Sequence, residues 1–223
     1  MLVVGYGRLG QAIVGILTNH QTERVHVYNR TKDKLTGDHN VNIIDPQSFK
    51  DYHDVLLAIP AHAYEPFFSM YRSFFSSTCR FYYTATALLH SDVHTLLERE
   101  QTMIPCKLLG HARVALQERE AVFALQNDQQ VKRFNELTSH AFTVIEGDED
   151  AVRMANTIAT EESLRGLMRM EERVSGTSIS NEMLRAVQAQ IPNGIAKAHL
   201  HHDHGHFARS LLQQWNIRGD EDE

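Results

Sequence analysis

Gly5-Tyr6-Gly7-Arg8-Leu9-Gly10 is the segment of this 223-residue chain whose residue types and spacing point most directly to chemistry. In a GxGxxG pattern the first glycine permits a tight turn, the second lets the backbone approach a pyrophosphate, and the third lets a helix pack closely on a strand. Further along, Asn29-Arg30-Thr31 is followed by Lys32 and Lys34, with no carboxylate where an NAD site would bond the ribose 2'-hydroxyl. An arginine fork beside a hydroxyl can instead hold a 2'-phosphate. These residues favour NADP as the cofactor over NAD.

Two more clusters carry reactive types. Ser175-Gly176-Thr177-Ser178 precedes an apolar pattern of helical spacing, so its hydroxyls suit either a ligand-holding loop or the cap of a helix, with Ser178 or Thr177 accepting from free backbone N–H groups. His199-Leu200-His201-His202-Asp203-His204-Gly205-His206 packs five histidines into eight residues, and on a helix His199, His202 and His206 would share a face. We assign no metal there. Catalytic zinc draws its ligands from separated, rigid elements, and no cysteine supports the cluster. A pH-sensitive surface segment, or histidines facing the site of a dimer mate, is the competing reading.

The elements that must position these residues follow from periodicity. Leu2-Val3-Val4 is a continuous apolar run suited to a strand buried on both faces, and it ends directly in the glycine loop. Only four residues precede Gly5, which leaves room for a start slightly upstream. Leu9, Ala12, Ile13, Ile16 and Leu17 then mark one helical face, and Val25-His26-Val27-Tyr28 a second strand. Further strands are expected at Val41-Asn42-Ile43-Ile44, from Asp54 to Ile59, at Arg80-Phe81-Tyr82-Tyr83, at Lys107-Leu108-Leu109, from Ala121 to Leu125 and from Ala141 to Ile145. In an open sheet of this kind ligands lie beyond the carboxyl ends of the strands, so Ala58, Ile59, Pro60 and Thr84 should border the cofactor. The aromatic stretch from Tyr64 to Phe75 is expected to pack on the sheet or a partner.

From Asp148 the pattern turns helical, with a loop at Val174 to Ser178, a helix from Ile179 that Pro192-Asn193-Gly194 should stop, and a last helix from Ala208 to Trp215. The fold class is therefore α/β: a Rossmann-type, doubly wound, mostly parallel sheet in a domain at 1–147, followed by a small all-helical domain at 148–223 that ends in the acidic tail Gly219-Asp220-Glu221-Asp222-Glu223.

Composition narrows the function classes. Hydrophobic residues make up 42% and charged residues 22%, as in ordinary globular proteins, and no apolar run is long enough to span a bilayer. We expect no membrane association and, with no signal-peptide pattern after Met1, a cytoplasmic location. Residues 1–50 carry six basic and four acidic side chains within a chain of formal charge -6. That asymmetry suits an anionic small molecule at the N-terminal end, whereas nucleic acid would ask for a basic stripe. Cys79 and Cys106 form no CxxC pair and read as small buried residues.

The succession GYGRLG, YNRT, LLAIP and VSGTS before a helix resembles the pyrroline-5-carboxylate reductase family over nearly the full chain, most closely at the N-terminus. That resemblance implies a Rossmann domain paired with a helical domain through which the protein forms a homodimer, and reduction of a cyclic imine with NAD(P)H. It also implies that Ser175, Gly176, Thr177 and Ser178 form the loop that holds the substrate carboxylate, Gly176 and Ser178 being substrate contacts. Hydride transfer to an imine further needs one donated proton, which the Ser175 or Thr177 hydroxyl would orient or relay as the candidate catalytic groups. The chain departs from the family at Ser178-Ile179-Ser180-Asn181, where a glycine-proline-alanine run is usual, and at Leu109-Gly110-His111-Ala112-Arg113, where methionine-proline-asparagine is usual. The lysine and asparagine pattern of the related β-hydroxyacid dehydrogenases is absent from the corresponding helix. The expected function is thus an NADP-dependent oxidoreductase acting on a small imine, carbonyl or hydroxyl substrate. The alternatives are a non-catalytic NADP-binding regulator or interaction protein and, more remotely, a metal-binding protein.

Overall fold

The computed structural model describes residues 1–215, so the expected acidic tail lies outside the described residues. Six parallel strands build the main sheet: β1 (Leu2–Val4), β2 (Val25–Tyr28), β3 (Val41–Ile43), β4 (Asp54–Leu57), β5 (Arg80–Tyr83) and β6 (Thr102–Pro105), in the spatial order β3-β2-β1-β4-β5-β6. The order reverses between β1 and β4, and that reversal opens a crevice beyond their carboxyl ends. A second sheet of β7 (Lys107–Leu108), β8 (Val122–Leu125) and β9 (Thr143–Glu146) pairs β7 antiparallel and β9 parallel to β8. The helices joining these strands are α1 (Arg8–His20), α2 (Tyr64–Tyr71), α3 (His90–Val93), α4 (Ala112–Glu118) and α5 (Asp128–Leu137).

Strand alternation sorts the apolar residues into two cores. Val3, flanked in register by Val27 and Leu56, points with Ile13, Ile16 and Phe134 to one face. Leu2, Val4, Val55 and Leu57 point to the other, against Phe49, Phe68 and Phe81. Both faces being covered is the reason these strands are apolar throughout. Strand β6 is absent from the expected set, and it ends in Pro105. A proline at the end of an edge strand needs no ladder donor, and β6 is the edge.

At the amino end of β4, the nearly buried Asp54 receives two hydrogen bonds from Arg80, at 2.7 and 2.8 Å, and one from Arg133 Nη2 at 3.0 Å. Burial alone would raise this carboxyl's pKa, but the two guanidiniums outweigh it and hold the group below the ordinary carboxylate range. A depressed folded pKa contributes stability above the unfolded value near 4, and that contribution is lost as pH falls through the folded value. Asp54→Asn should therefore cost about 2 kcal/mol at pH 7, a figure discounted for the partly exposed arginines, and should flatten the acid limb of the stability curve below about pH 4. Urea unfolding at pH 7 and pH 3 reads both effects.

The remaining helices are α6 (Glu149–Val174), α7 (Asn181–Leu200) and α8 (His206–Gln214). The chain divides into two compact units, Met1–Ala159 and Thr160–Glu223, with the division inside α6. In the second, α7 does not stop at Pro192-Asn193-Gly194 as expected but runs through to Leu200. The proline removes one ladder hydrogen bond, while the alanine, glutamine and lysine residues on either side are strong helix formers that carry the helix past it.

Candidate functional site: the glycine loop and its cavity

The chain leaves β1 into Gly5, whose φ of +103° lies in the region that only glycine adopts freely. A Cβ there would stand 2.5 Å from the Ala58 carbonyl oxygen, and one on Gly10 would stand 2.1 Å from the Gly5 carbonyl oxygen. These two glycines are demanded by the protein's own packing. Gly7 is different, since a Cβ on it would meet nothing within 4 Å. Its openness leaves room for a ligand against the backbone.

Gly7 is the N-cap residue of α1, with no side chain capping the helix and no acidic residue in the first turn. The backbone N–H groups of Arg8, Leu9 and Gly10 thus form a positive helix end without a resident carboxylate, which suits phosphate oxygens. Asn29 fixes the loop from the side: its Oδ1 accepts from the Tyr6 N–H at 3.0 Å, and its Nδ2 donates to the Thr31 carbonyl at 2.8 Å. The Tyr6 hydroxyl donates to the Asp38 carboxylate, which ties the glycine loop to the segment after β2 a second time.

A cavity of about 350 Å³ opens beside this loop. Of the residues expected to hold the cofactor, Gly5, Tyr6, Gly7, Asn29, Arg30, Thr31, Ala58, Ile59 and Pro60 all line it. Arg8, Leu9 and Gly10 begin the adjoining helix. At one end of the cavity Arg30 and Lys34 supply positive charge and Thr31 a hydroxyl, with no Asp or Glu in the lining. At its wall Phe67, Met70 and Tyr71 of α2 provide apolar surface, and the Tyr28 hydroxyl donates to that of Tyr71 at 2.8 Å. Anion-holding backbone, a cationic end and an aromatic wall fit a phosphorylated nucleotide.

The aromatic stretch, expected to pack on the sheet or a partner, also lines the cavity: on α2, Tyr64 and Phe68 are buried in the core while the next face lines the cavity. The signal that could have found this is position, since α2 follows directly on the carboxyl end of β4. Thr84 departs from its expectation. Its side chain is buried and its hydroxyl donates to the Leu57 carbonyl at 2.8 Å, so it fastens β5 to β4 and does not line this cavity.

In the second unit, Ser175 to Ser178 form the turn between α6 and α7. Gly176, at φ +78°, follows the end of α6, and the Thr177 hydroxyl donates to the Val174 carbonyl at 2.7 Å while accepting from the Ile179 N–H at 3.3 Å. The cap of α7 is Ser180, which accepts from the Met183 N–H at 3.2 Å, not Ser178 or Thr177 as expected. The histidine trio is also reordered. α7 ends at Leu200 and α8 begins at His206, so His199, His202 and His206 share no single helix. The contact formed instead is between His199 Nδ1 and His204 Nε2, at 3.2 Å. Among the described residues no three histidine, cysteine or acidic side chains converge as a metal would require, and no helix is long and apolar enough to cross a membrane.

The strand order, the glycine loop and the uncapped helix define a Rossmann-type fold. No protein-family model matches the chain, and no curated protein does. Solved structures do. A pyrroline-5-carboxylate reductase of Coxiella burnetii superposes with a TM-score of 0.68 at 16% identity, covering 99% of this chain and 85% of its own. The pyrroline carboxylate reductase of Plasmodium falciparum, solved with NADP bound, does so with a TM-score of 0.66 at 12% identity, covering 98% and 83%. The 3-hydroxyisobutyrate dehydrogenase of Mycobacterium tuberculosis reaches 0.61 at 13% identity over 84% and 69%. The chain therefore has the fold of the pyrroline-5-carboxylate reductases.

Proposed function

We propose that this protein is an NADP-dependent oxidoreductase that transfers hydride to or from a small imine, carbonyl or hydroxyl substrate. The observation that carries the cofactor assignment is the cavity in which an uncapped helix start meets Arg30, Thr31 and Lys34 with no carboxylate in the lining. Its support in the comparisons is that a structure of the same fold was solved with NADP bound. Bound NADPH would supply the hydride, and the protein's part would be to hold the cofactor's phosphates and place its ring against the substrate. The test is a titration with NADPH and NADH, followed by cofactor oxidation with pyrroline-5-carboxylate and then with other small imines and carbonyls. Tight NADPH binding with oxidation is expected; absence of binding to either nucleotide would sink the proposal.

A second reading, an NADP-binding regulator or interaction protein, draws on the turn after α6. The Thr177 hydroxyl already bonds Val174, and the family's usual residues are absent at 109–113 and after Ser178. NADPH binding without turnover of any substrate, joined to a cofactor-dependent change in partner binding, would select it.

The helical region from 148 onward would carry dimer contacts in either case. Met183, Val187 and Ile191 stand on one face of α7, each about half exposed. We expect a homodimer that Val187→Glu converts to monomer in sedimentation equilibrium; an unchanged mass would remove α7 from the interface.

A further inference from the structure

Lys107 on β7 is 1% exposed, so its charge is met entirely inside the protein. Its ammonium donates to the carbonyls of Ala85 at 2.8 Å and Leu88 at 2.6 Å, meets the Glu149 carboxylate at 3.5 Å, and lies 3.8 Å from the centroid of the Tyr83 ring. Glu149 in turn accepts from the Tyr83 hydroxyl on one oxygen and from the His90 N–H, at 2.7 Å, on the other. Burial lowers the ammonium's pKa to about 8, with Glu149 opposing the shift. A buried ion pair of this kind adds little net stability over well-packed apolar residues of the same volume, so its contribution must be sought in what it positions.

What it positions is the segment that leaves β5. Tyr83 pairs in register with Leu57, and both the N–H and the hydroxyl of Thr84 bond the Leu57 carbonyl. Residues 85–89 therefore leave the sheet at the carboxyl end of β5, the strand paired with β4, whose following residues Ala58, Ile59 and Pro60 line the cavity; residues 85–89 lie beyond that lining. In a sheet of this order a dinucleotide runs across the strand ends, with its 2'-phosphate half beyond β2 and its other half toward β4 and β5. Both ends of the segment are held by the pair: Lys107 takes its Ala85 and Leu88 carbonyls, and Glu149 takes the first N–H of α3.

We propose that Lys107 and Glu149 are positioning residues that fix segment 85–89 as the support for the nicotinamide half of the cofactor, while the glycine loop and Arg30 hold the adenosine half independently. The proposal rests on the dinucleotide-binding reading above. Neither side chain lines the cavity, so both act through the backbone that they hold.

The experiment compares two ligands by calorimetry: NADPH, and adenosine 2',5'-bisphosphate, which keeps the 2'-phosphate half and lacks the nicotinamide. Lys107→Met should weaken NADPH by about tenfold or more and leave the fragment within about twofold, collapsing the ratio of the two affinities. Glu149→Gln, which keeps the volume, should move the ratio in the same direction and serves if the methionine variant does not fold. Wild-type protein that binds both ligands, with a ratio unmoved in the folded variants or with equal losses for both, overturns the positioning role and leaves the cofactor reading standing. Wild-type protein that binds neither overturns both.

Discussion

Gly10→Ala is expected to lower the stability of the N-terminal unit by more than about 3 kcal/mol, because its methyl would stand 2.1 Å from the carbonyl oxygen of Gly5. That oxygen belongs to backbone, so relief requires α1 to move away from the end of β1, and Ile13, Ile16 and Leu17 would be pulled from the core with it. Gly7→Ala should behave in the opposite way. Its Cβ would enter open space at an ordinary φ of -78°, and unfolding should change by no more than about 1 kcal/mol, the usual range of an N-cap replacement. The same methyl would occupy the space beside the uncapped N–H groups, so nucleotide affinity should fall at least about tenfold, roughly 1.4 kcal/mol. Chemical denaturation and a nucleotide titration on the same two samples check the contrast. Equal stability of the two variants would refute the packing account of Gly10, and undiminished binding by Gly7→Ala would take the pyrophosphate away from this loop.

Arg30→Ala should weaken NADPH by about ten- to a hundredfold while leaving NADH within about twofold, the scale of one charge-assisted hydrogen-bonded contact to a phosphate. Arg30 is exposed at the cationic end of the cavity and is not needed for packing, so its loss should leave the unfolding midpoint unchanged. Raising the salt concentration should shrink the difference between the two nucleotides, since an exposed guanidinium is screened. Parallel losses for both nucleotides would show that Arg30 contacts something common to them, and the preference for NADP would then need another source. Lys34 lies in the same lining, and the double variant should lose more than Arg30→Ala alone.

Local regularities make the first part of the fold legible from residue order. Leu2-Val3-Val4 running straight into three spaced glycines, followed by helical spacing at Ala12, Ile13, Ile16 and Leu17, defines strand, turn and helix through contacts between residues close along the chain. Once that unit is set, the parallel order and the crevice beyond the strand ends follow from general rules of α/β sheets. Residue order does not decide positions whose partners lie far along the chain. Thr84 reads as a neighbour of the cofactor until its hydroxyl is known to meet the Leu57 carbonyl, and Ser178 reads as a cap until the start of α7 is known to fall at Asn181.

The sequence alone determined the class of fold and the form of the glycine loop, because the turn at Gly5 and the absence of a carboxylate among Asn29, Arg30 and Thr31 are local properties. Tertiary structure decided which polar side chains are available to a ligand. Thr84 stands where a site residue is expected and is bonded to Leu57, and Lys107, which in sequence is only part of a strand, is a buried ion. Whether a hydroxyl or an ammonium faces a cavity or a carbonyl depends on partners far along the chain, such as Leu57, Ala85 and Glu149. Those pairings are set by sheet register and by where α6 begins, and one-dimensional spacing carries no record of either.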